Sequence, residues 1–174
     1  AMKGLVPDGH ISSKVTLPDE LMAGVAYQLL DDVSIELSAI LTRWSTFDQM
    51  SVVFQRPVLG IGRMTKAKDW HNAWRWQAGI EYTATRWLDL RVGYVYDQSP
   101  VPGGTADYMV PTYNVNFYCA GFGLHWRNWD ANFSYSCLVS QARHLRARPA
   151  DGILESRIHQ GVTHLYGVDI GYKF

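Results

Sequence analysis

The sequence has 174 residues with 16 basic and 16 acidic side chains, so its formal net charge is zero and a basic nucleic-acid-binding face is not indicated. Hydrophobic residues make up 47% of the chain, yet no apolar run reaches the roughly 18 residues that a membrane-spanning helix needs. The length suits one domain, and only two cysteines, Cys119 and Cys137, exclude a disulfide scaffold.

Seven segments alternate between apolar residues and polar or small ones, with exceptions at Ile40 and His164. This period of two is the geometry of a β-strand. In the third segment Trp74 and Trp76 fall on one side, while Arg75 falls on the other. In chain order the segments are 21–29, 33–42, 73–83, 88–97, 118–126, 131–139 and 162–174. Residues 11–15 are expected to continue into the first strand, with a kink or bulge at Pro18 because proline cannot donate to the ladder.

The connections between these segments alternate between short and long. The short ones cover 30–32, 84–87 and 127–130, and the long ones cover 45–72, 98–113 and 141–160. Short turns at one rim and long loops at the other, with Trp and Tyr near both, are typical of outer-membrane β-barrels. A soluble β-sandwich or lipocalin-like barrel also alternates, but it predicts neither the loop lengths nor the aromatic bands. We therefore predict an all-β fold, an antiparallel transmembrane β-barrel in the outer membrane of a Gram-negative bacterium.

The polar side of the predicted strands carries their charges. We expect these side chains to face the barrel interior, because a charge at the midplane of the lipid-facing side costs about 2–4 kcal/mol. The predicted inward-facing charged residues are Glu36, Arg75, Glu81, Asp89, Arg91, Asp97, Asp169 and Lys173. They either form a structural ladder of ion pairs that holds the wall together, or line a polar lumen that guides solute.

The sequence contains no pattern typical of a catalytic or metal site. None of its six histidines belongs to an HExxH motif, and no GxSxG marks a nucleophile elbow. Cys119 and Cys137 are expected on opposite sides of the wall, which disfavours a disulfide between them. We therefore expect neither enzymatic activity nor a bound metal or cofactor.

Several stretches together resemble the FadL-type outer-membrane transporters, which carry long-chain fatty acids and other hydrophobic compounds. In family order the matching stretches are VTLPDELMAGVAYQ at 15–28, TRWSTFDQM at 42–50, KDWHNAWRWQAGIEY at 68–82, LDLRVGYVYDQSPVP at 88–102 and YGVDIGYKF at 166–174. The most specific part is the segment DQSPVP at the end of a strand, with KDWHNAWR one hairpin earlier.

The resemblance implies the C-terminal half of a 14-stranded barrel. The N-terminal hatch and the early strands of that family are expected to be absent, so residues 1–174 would form a single transmembrane domain or a half-barrel. The resemblance also implies that a basic residue shortly before the KD pair at 68–69 contacts a ligand carboxylate. By position this residue is Arg63, and Lys66 and Lys68 beside it are further candidates for the ligand site. The alternative for this basic group is that its charges are simply solvated on a loop. A guanidinium suits a carboxylate because it donates two parallel hydrogen bonds.

The leading interpretation is outer-membrane transport of long-chain fatty acids or similar hydrophobic compounds, and the alternative is a small structural or adhesive barrel that transports nothing. Expected partners are membrane lipid, a hydrophobic small molecule and lipopolysaccharide, whose phosphates the basic stretch 143–148 would contact unless it is simply solvated. Single-chain bacterial barrels have even strand numbers. Seven strands therefore need further strands, either from an N-terminal half or from a second copy of the chain.

Overall fold

The computed structural model describes residues 8–110 and 112–174, and its main element is one antiparallel sheet of seven long strands. The strands of the chain are β1 (Ile11–Ser13), β2 (Glu20–Leu30), β3 (Val33–Thr42), β4 (Gln49–Val58), β5 (Ile61–Ala67), β6 (Ala73–Thr85), β7 (Leu88–Asp97), β8 (Val115–Trp126), β9 (Trp129–Ser140), β10 (Arg143–Leu145), β11 (Ser156–Ile158) and β12 (Val162–Tyr172). Short 3-10 turns lie at Trp44–Thr46 and Pro149–Asp151. Within the described ranges no helix is long and apolar enough to cross a bilayer.

The seven-stranded sheet contains the seven strands predicted from alternation, in the order β12-β9-β8-β7-β6-β3-β2. Each neighbouring pair is antiparallel, so the predicted fold class is confirmed. Among the described residues β2 pairs only with β3, and β12 only with β9, which leaves both as edge strands. The sheet is therefore an open wall and not a closed barrel.

One face of this wall carries no Asp, Glu, Lys or Arg along the whole of its seven strands, and we call it the apolar face. The polar residues Asn116 and His164 on this face are each paired with a tyrosine hydroxyl. The Tyr94 hydroxyl lies 2.6 Å from Asn116 Oδ1, and the Tyr135 hydroxyl lies 2.8 Å from His164 Nδ1. Because lipid offers no hydrogen bonds, such pairing suits a surface that faces the bilayer. The opposite side is the polar face.

The long connection 45–72 was predicted to be a loop, and the structure instead places the hairpin β4–β5 there. Its turn is Leu59–Gly60, and both residues have positive φ, as a tight two-residue hairpin turn requires. Strand β1 adds to this hairpin by pairing with β4, so the prediction that residues 11–15 continue into the first long strand is wrong. The kink predicted at Pro18 is also wrong, because the ladder of β2 begins only at Glu20, after the proline.

The long connections fold together over one end of the wall, and we call the segments 43–72, 98–110 and 141–160 the cap. Their apolar side chains form a buried cluster of Phe47, Trp70, Val101, Ala106, Leu145 and Ile153. Trp70 stands edge-on to its neighbours, with ring centroids 4.8 Å from Trp44 and 4.9 Å from Phe47. The buried hydrophobic core of the described residues thus lies mainly in the cap, while the strands expose their apolar side chains.

Substituting Val92 by Arg tests the assignment of the apolar face to lipid. Val92 lies in the middle of β7 and is 58% exposed on that face. If it sits near the bilayer midplane, the protein in lipid vesicles should lose about 2–4 kcal/mol of unfolding free energy. The matched control is Leu154→Arg, since Leu154 is 72% exposed in the cap. Equal effects of the two substitutions would contradict the assignment.

Candidate functional site

At the short-turn end of the polar face, acidic and basic side chains form a continuous network across several strands. His125 on β8 lies between two carboxylates, with Nε2 2.7 Å from Asp89 Oδ2 and Nδ1 2.6 Å from Asp130 Oδ1. Lys173, just after β12, lies 3.0 Å from the second oxygen of Asp130. These contacts tie β7, β8, β9 and the end of β12 together.

Arg91 on β7 extends the same network. Its Nε donates to Glu81 Oε2 at 2.5 Å, and its Nη1 donates to Asn132 Oδ1 at 2.9 Å. The second contact reaches across β8 to β9, and Gly123 makes room for it. A Cβ at Gly123 would lie only 3.2 Å from the guanidinium nitrogens and 2.9 Å from Asn132 Oδ1. Arg91 also lies 3.5 Å from Asp89, which joins the two halves of the network.

At the loop end of the polar face, Arg75 on β6 donates from Nη2 to Asp97 Oδ2 on β7 at 2.6 Å. This pair forms part of the floor of a cavity of about 650 Å³ that lies between the wall and the cap. The cap supplies Trp44, Trp70, Gln98, Ser99, Pro100 and Val110 to its lining. The remaining lining residues are Pro18, Glu20, Ile40, Thr42, Ala73, Thr112, Tyr113 and Val115. The cavity therefore combines aromatic and apolar surfaces with one ion pair.

Two of the predicted ligand-contacting cations, Lys66 and Lys68, bind a carboxylate of the protein itself. Lys68 Nζ lies 2.7 Å and Lys66 Nζ 3.2 Å from Asp107 Oδ2. The side chains of Lys68 and Asp107 are only 3% and 4% exposed, and Asp107 Oδ1 accepts the backbone N–H of Met109. Lys68, which follows the last residue of β5, therefore joins the end of that strand to the 98–110 segment.

Arg63 differs from the two lysines. It lies on β5 opposite Val53, is exposed, and does not belong to the cavity lining. Among residues 8–110 and 112–174 it has no acidic partner within salt-bridge distance. Arg63 therefore takes no part in the contact that Lys66 and Lys68 make with Asp107, although the three residues were predicted to form one site.

Two arginines of the predicted basic stretch hold the cap segments together. Arg143 donates to the carbonyl oxygens of Thr112 and Val101, at 2.9 and 2.6 Å. Arg148 donates to the carbonyl oxygens of Gly103 and Ala106. Burial lowers the pKa of Arg143, which still leaves it charged at neutral pH.

The charged residues predicted to face inward all lie on the polar face. Glu36 and Asp169 lie on β3 and β12, at either side of the paired residues of β6 and β7. That this face lines a lumen remains a prediction. Sequence reasoning did not single out His125, Asp130 or Asn132 as members of the network, although alternation places them on this face. No sequence pattern pointed to Asp107 as a functional or structural residue, because it lies outside every alternating segment.

Comparisons with known proteins show one family throughout. The family described as "Outer membrane protein transport protein (OMPP1/FadL/TodX)" matches residues 1–174. An outer membrane protein of Neisseria meningitidis serogroup B is 27% identical over 132 residues, which cover 72% of this chain and 28% of that protein.

Two solved structures share the fold. A Pseudomonas aeruginosa FadL homologue aligns with a TM-score of 0.82 and 21% identity, over 93% of this chain and 37% of that one. The P. putida toluene transporter TodX aligns with a TM-score of 0.61 and 20% identity, over 94% of this chain and 36% of that one. The chain thus spans about a third of the length of the proteins it matches.

Acid should release the contact between Asp107 and the two lysines. Burial by itself raises the pKa of Asp107, but the hydrogen bonds from Lys68 and Lys66 outweigh it and lower the pKa to about 2, from an ordinary value of 3.8. Because the folded pKa lies below the unfolded one, the stabilisation is complete above about pH 4 and is lost as the pH falls through about 2. At 1.36 kcal/mol for each unit by which the folded pKa lies below the unfolded one, the contact is worth roughly 2 kcal/mol.

The fluorescence of the cap tryptophans, followed from about pH 5 to about pH 1 so that the range covers both sides of the Asp107 pKa of about 2, measures this release. Asp107→Asn removes the titrating group while keeping its shape, so the variant should lack the acid-induced step. A step of the same size and midpoint in Asp107→Asn would assign the titration to another group.

Proposed function

Since the chain belongs to the OMPP1/FadL/TodX family of outer membrane transport proteins, we propose that the full-length protein carries hydrophobic compounds across the outer membrane. The observation that carries this proposal is the cavity between cap and wall, because it joins aromatic surface to the polar face. Its volume of about 650 Å³ falls in the range of small-molecule sites, which are usually apolar with a few placed polar groups. A purely structural or adhesive barrel needs no such cavity.

The open edges of the wall, at β2 and β12, need partners in the membrane. Each edge of an open sheet in lipid leaves backbone N–H and C=O groups unpaired, at several kcal/mol per group. We propose that β2 and β12 pair with further strands of the full-length protein, which fits relatives about three times as long as this chain. Pairing with a second copy is the alternative, and the size of the purified full-length protein in detergent distinguishes the two.

Long-chain fatty acids form one subclass of the proposed substrates. A fatty-acid carboxylate needs a cation, and Lys66 and Lys68 are already shared with Asp107. Arg63 is exposed and has no acidic partner in the described part of the chain, so it is the residue we assign to a carboxylate contact on the cap. The contact would lie outside the cavity, because Arg63 is not part of its lining.

The hairpin β10–β11 supports a contact with lipopolysaccharide. Leu145 on its inner side is buried in the cap core. His144 and Arg157 lie opposite each other in the two strands, on the exposed side. Glu155 lies 3.3 Å from His144, and Arg157 has no acidic partner among the described residues. We assign Arg157, together with exposed Arg146, to the lipid A phosphates of the outer leaflet, since a guanidinium binds phosphate bidentately.

Uptake by cells tests the transport proposal. Deleting the gene should slow the entry of toluene and of hexadecan-1-ol, and the full-length gene should restore it. An entry rate that does not depend on the gene would contradict transport and favour the structural alternative.

Replacing Arg63 by Ala tests the carboxylate contact within the same proposal. The variant should bind hexadecanoate several-fold more weakly and hexadecan-1-ol as before, since only the acid offers a partner for the guanidinium. Equal losses for the two compounds would exclude a carboxylate contact. Arg56→Ala, on the neighbouring strand β4, is a matched control for the loss of a surface charge.

The lipopolysaccharide contact predicts a phosphate-dependent change in affinity. A double variant, Arg146→Gln with Arg157→Gln, should lower the affinity of the full-length protein for lipid A about tenfold, as expected for two lost charge-assisted contacts. Lipid A without its phosphates should bind both proteins equally weakly. If the double variant retained full affinity for phosphorylated lipid A, the hairpin would not be the site of the lipopolysaccharide contact.

A further inference from the structure

We infer that the apolar face holds a lipid A molecule of the outer leaflet, with an acyl chain in a groove across β2, β3, β6 and β7 and a phosphate on Arg43. The inference goes beyond transport, because it needs only the outer-membrane location of the family. It rests on the shape of the groove, on its height in the bilayer and on a charged pair at its loop end.

The groove is a low strip of small side chains between large ones, with a volume of about 500 Å³. Its floor is made by one alanine from each of three neighbouring strands, Ala23, Ala39 and Ala78. Trp76 and Tyr94 stand beside this floor and are 51% and 40% exposed. A hydrocarbon chain that lies on the alanines therefore contacts apolar atoms below it and beside it, which a flat surface does not offer.

The floor and sides of the groove belong to strands that the structure describes. Ser38 and Gln77 also border it, but alternation points their side chains to the polar face. The strands of Ala39 and Ala78 are paired on both sides, so their backbone groups are used in the ladders. A further strand at the outer edge of β2 would extend the sheet sideways and leave this face uncovered. The groove thus offers apolar surface without hydrogen-bonding groups, which suits an acyl chain.

The groove lies at the level of the outer leaflet. Ala23 and Ala39 are three residues from the loop ends of their strands, at Glu20 and Thr42, which is about 10 Å along the strand. In barrels of this class the long loops are extracellular and the short turns periplasmic. The acyl chains that reach the groove are therefore those of the outer leaflet, whose characteristic lipid is the phosphate-bearing lipid A.

A charged pair stands at the loop end of the groove, on the same side of the sheet. The ladder of β2 and β3 continues for one residue, since Arg43 donates its backbone N–H to the carbonyl oxygen of Asp19 at 3.0 Å. Alternation therefore places both side chains on the side of Leu21 and Leu41, in line with the groove. Both side chains are more than half exposed, so a lipid headgroup can reach them.

Arg43 keeps donors for a phosphate although it is paired with Asp19. Its Nε and Nη2 donate to the Asp19 carboxylate at 2.8 and 2.5 Å, and among residues 8–110 and 112–174 its Nη1 has no acceptor. Arg43 lies four residues from Ala39, about 13 Å along β3, which a lipid spans between its phosphate and its acyl chains. The charge and the groove are thus arranged as the two ends of one amphipathic ligand.

Titration of the full-length protein in detergent with lipid A tests the groove. The background Arg146→Gln with Arg157→Gln removes the contact assigned to the hairpin β10–β11, so that binding reports on the apolar face. Ala39→Leu fills the floor and should weaken the binding of lipid A several-fold, and Ala23→Leu should do so from the neighbouring strand. Both new side chains point to lipid and not into a packed core, so the variants should fold. Ala120→Leu, on the same face of β8 but outside the groove, should leave the affinity unchanged.

Two substitutions in the charged pair test the phosphate contact in the same background. Arg43→Gln should weaken lipid A binding several-fold, whereas Asp19→Asn frees the whole guanidinium and should strengthen it. A pair that only stabilises the strand ends would make both variants bind more weakly. Lipid A without its phosphates should bind the two variants equally. Arg127→Gln, at an exposed arginine of the short-turn end, is the control for the loss of a surface charge.

Three results would overturn the inference. The first is an equal effect of Ala39→Leu and Ala120→Leu, and the second is an equal loss of affinity in Arg43→Gln and Asp19→Asn. The third is a purified protein that is dimeric and becomes monomeric in Ala39→Leu, since a second copy would then occupy the groove. The uptake of hydrophobic compounds by cells is measured separately, so a failure of the transport proposal would leave the lipid site in place.

Discussion

The structure depends on one constraint, which is that a strand in lipid has to satisfy its backbone through its neighbours and keep its charges on one side. The seven strands keep their charges to one side, with no Asp, Glu, Lys or Arg on the apolar face, and the outer edges of β2 and β12 are where the backbone still needs a partner. The ionised groups of the strands are thereby concentrated on the polar face, where short distances let them pair. The network around His125 and Arg91 lies on this face, where charged side chains of neighbouring strands come within hydrogen-bond distance.

The cap lies beyond the ends of the long strands and is stabilised in a different way, because it buries apolar side chains in a core of its own. Its core around Trp70 is held by polar contacts between segments far apart in sequence, such as Lys68 with Asp107 and Arg148 with Gly103. The wall and the cap meet at the cavity. A change in the cap can therefore alter the cavity without disturbing the pairing of the strands.

Alternation predicted the seven long strands and placed most of their charged side chains on one face, because each residue in a strand has its side fixed by its position alone. It missed Glu20 and Asp130, which lie just outside the segments that were predicted. The cap was not predictable in this way. The hairpin β4–β5 has apolar residues on both sides, as at Val52 and Val53, so it shows no clean period. The burial of Lys68 depends on Asp107, 39 residues away, and sequence spacing carries no information on such a contact.

Because the two faces of the wall depend on a period of two, insertions and deletions in its strands are more disruptive than substitutions. A substitution in a strand changes one side chain, whereas the loss or gain of a single residue moves every following side chain to the opposite face, unless a β-bulge absorbs it as next to the turns at Leu29 and Ala84. In β7 a one-residue deletion before Asp89 would turn Asp89, Arg91 and Asp97 towards lipid together. Length changes between relatives should thus be confined to the turns and the cap, and the strands should diverge by replacement only.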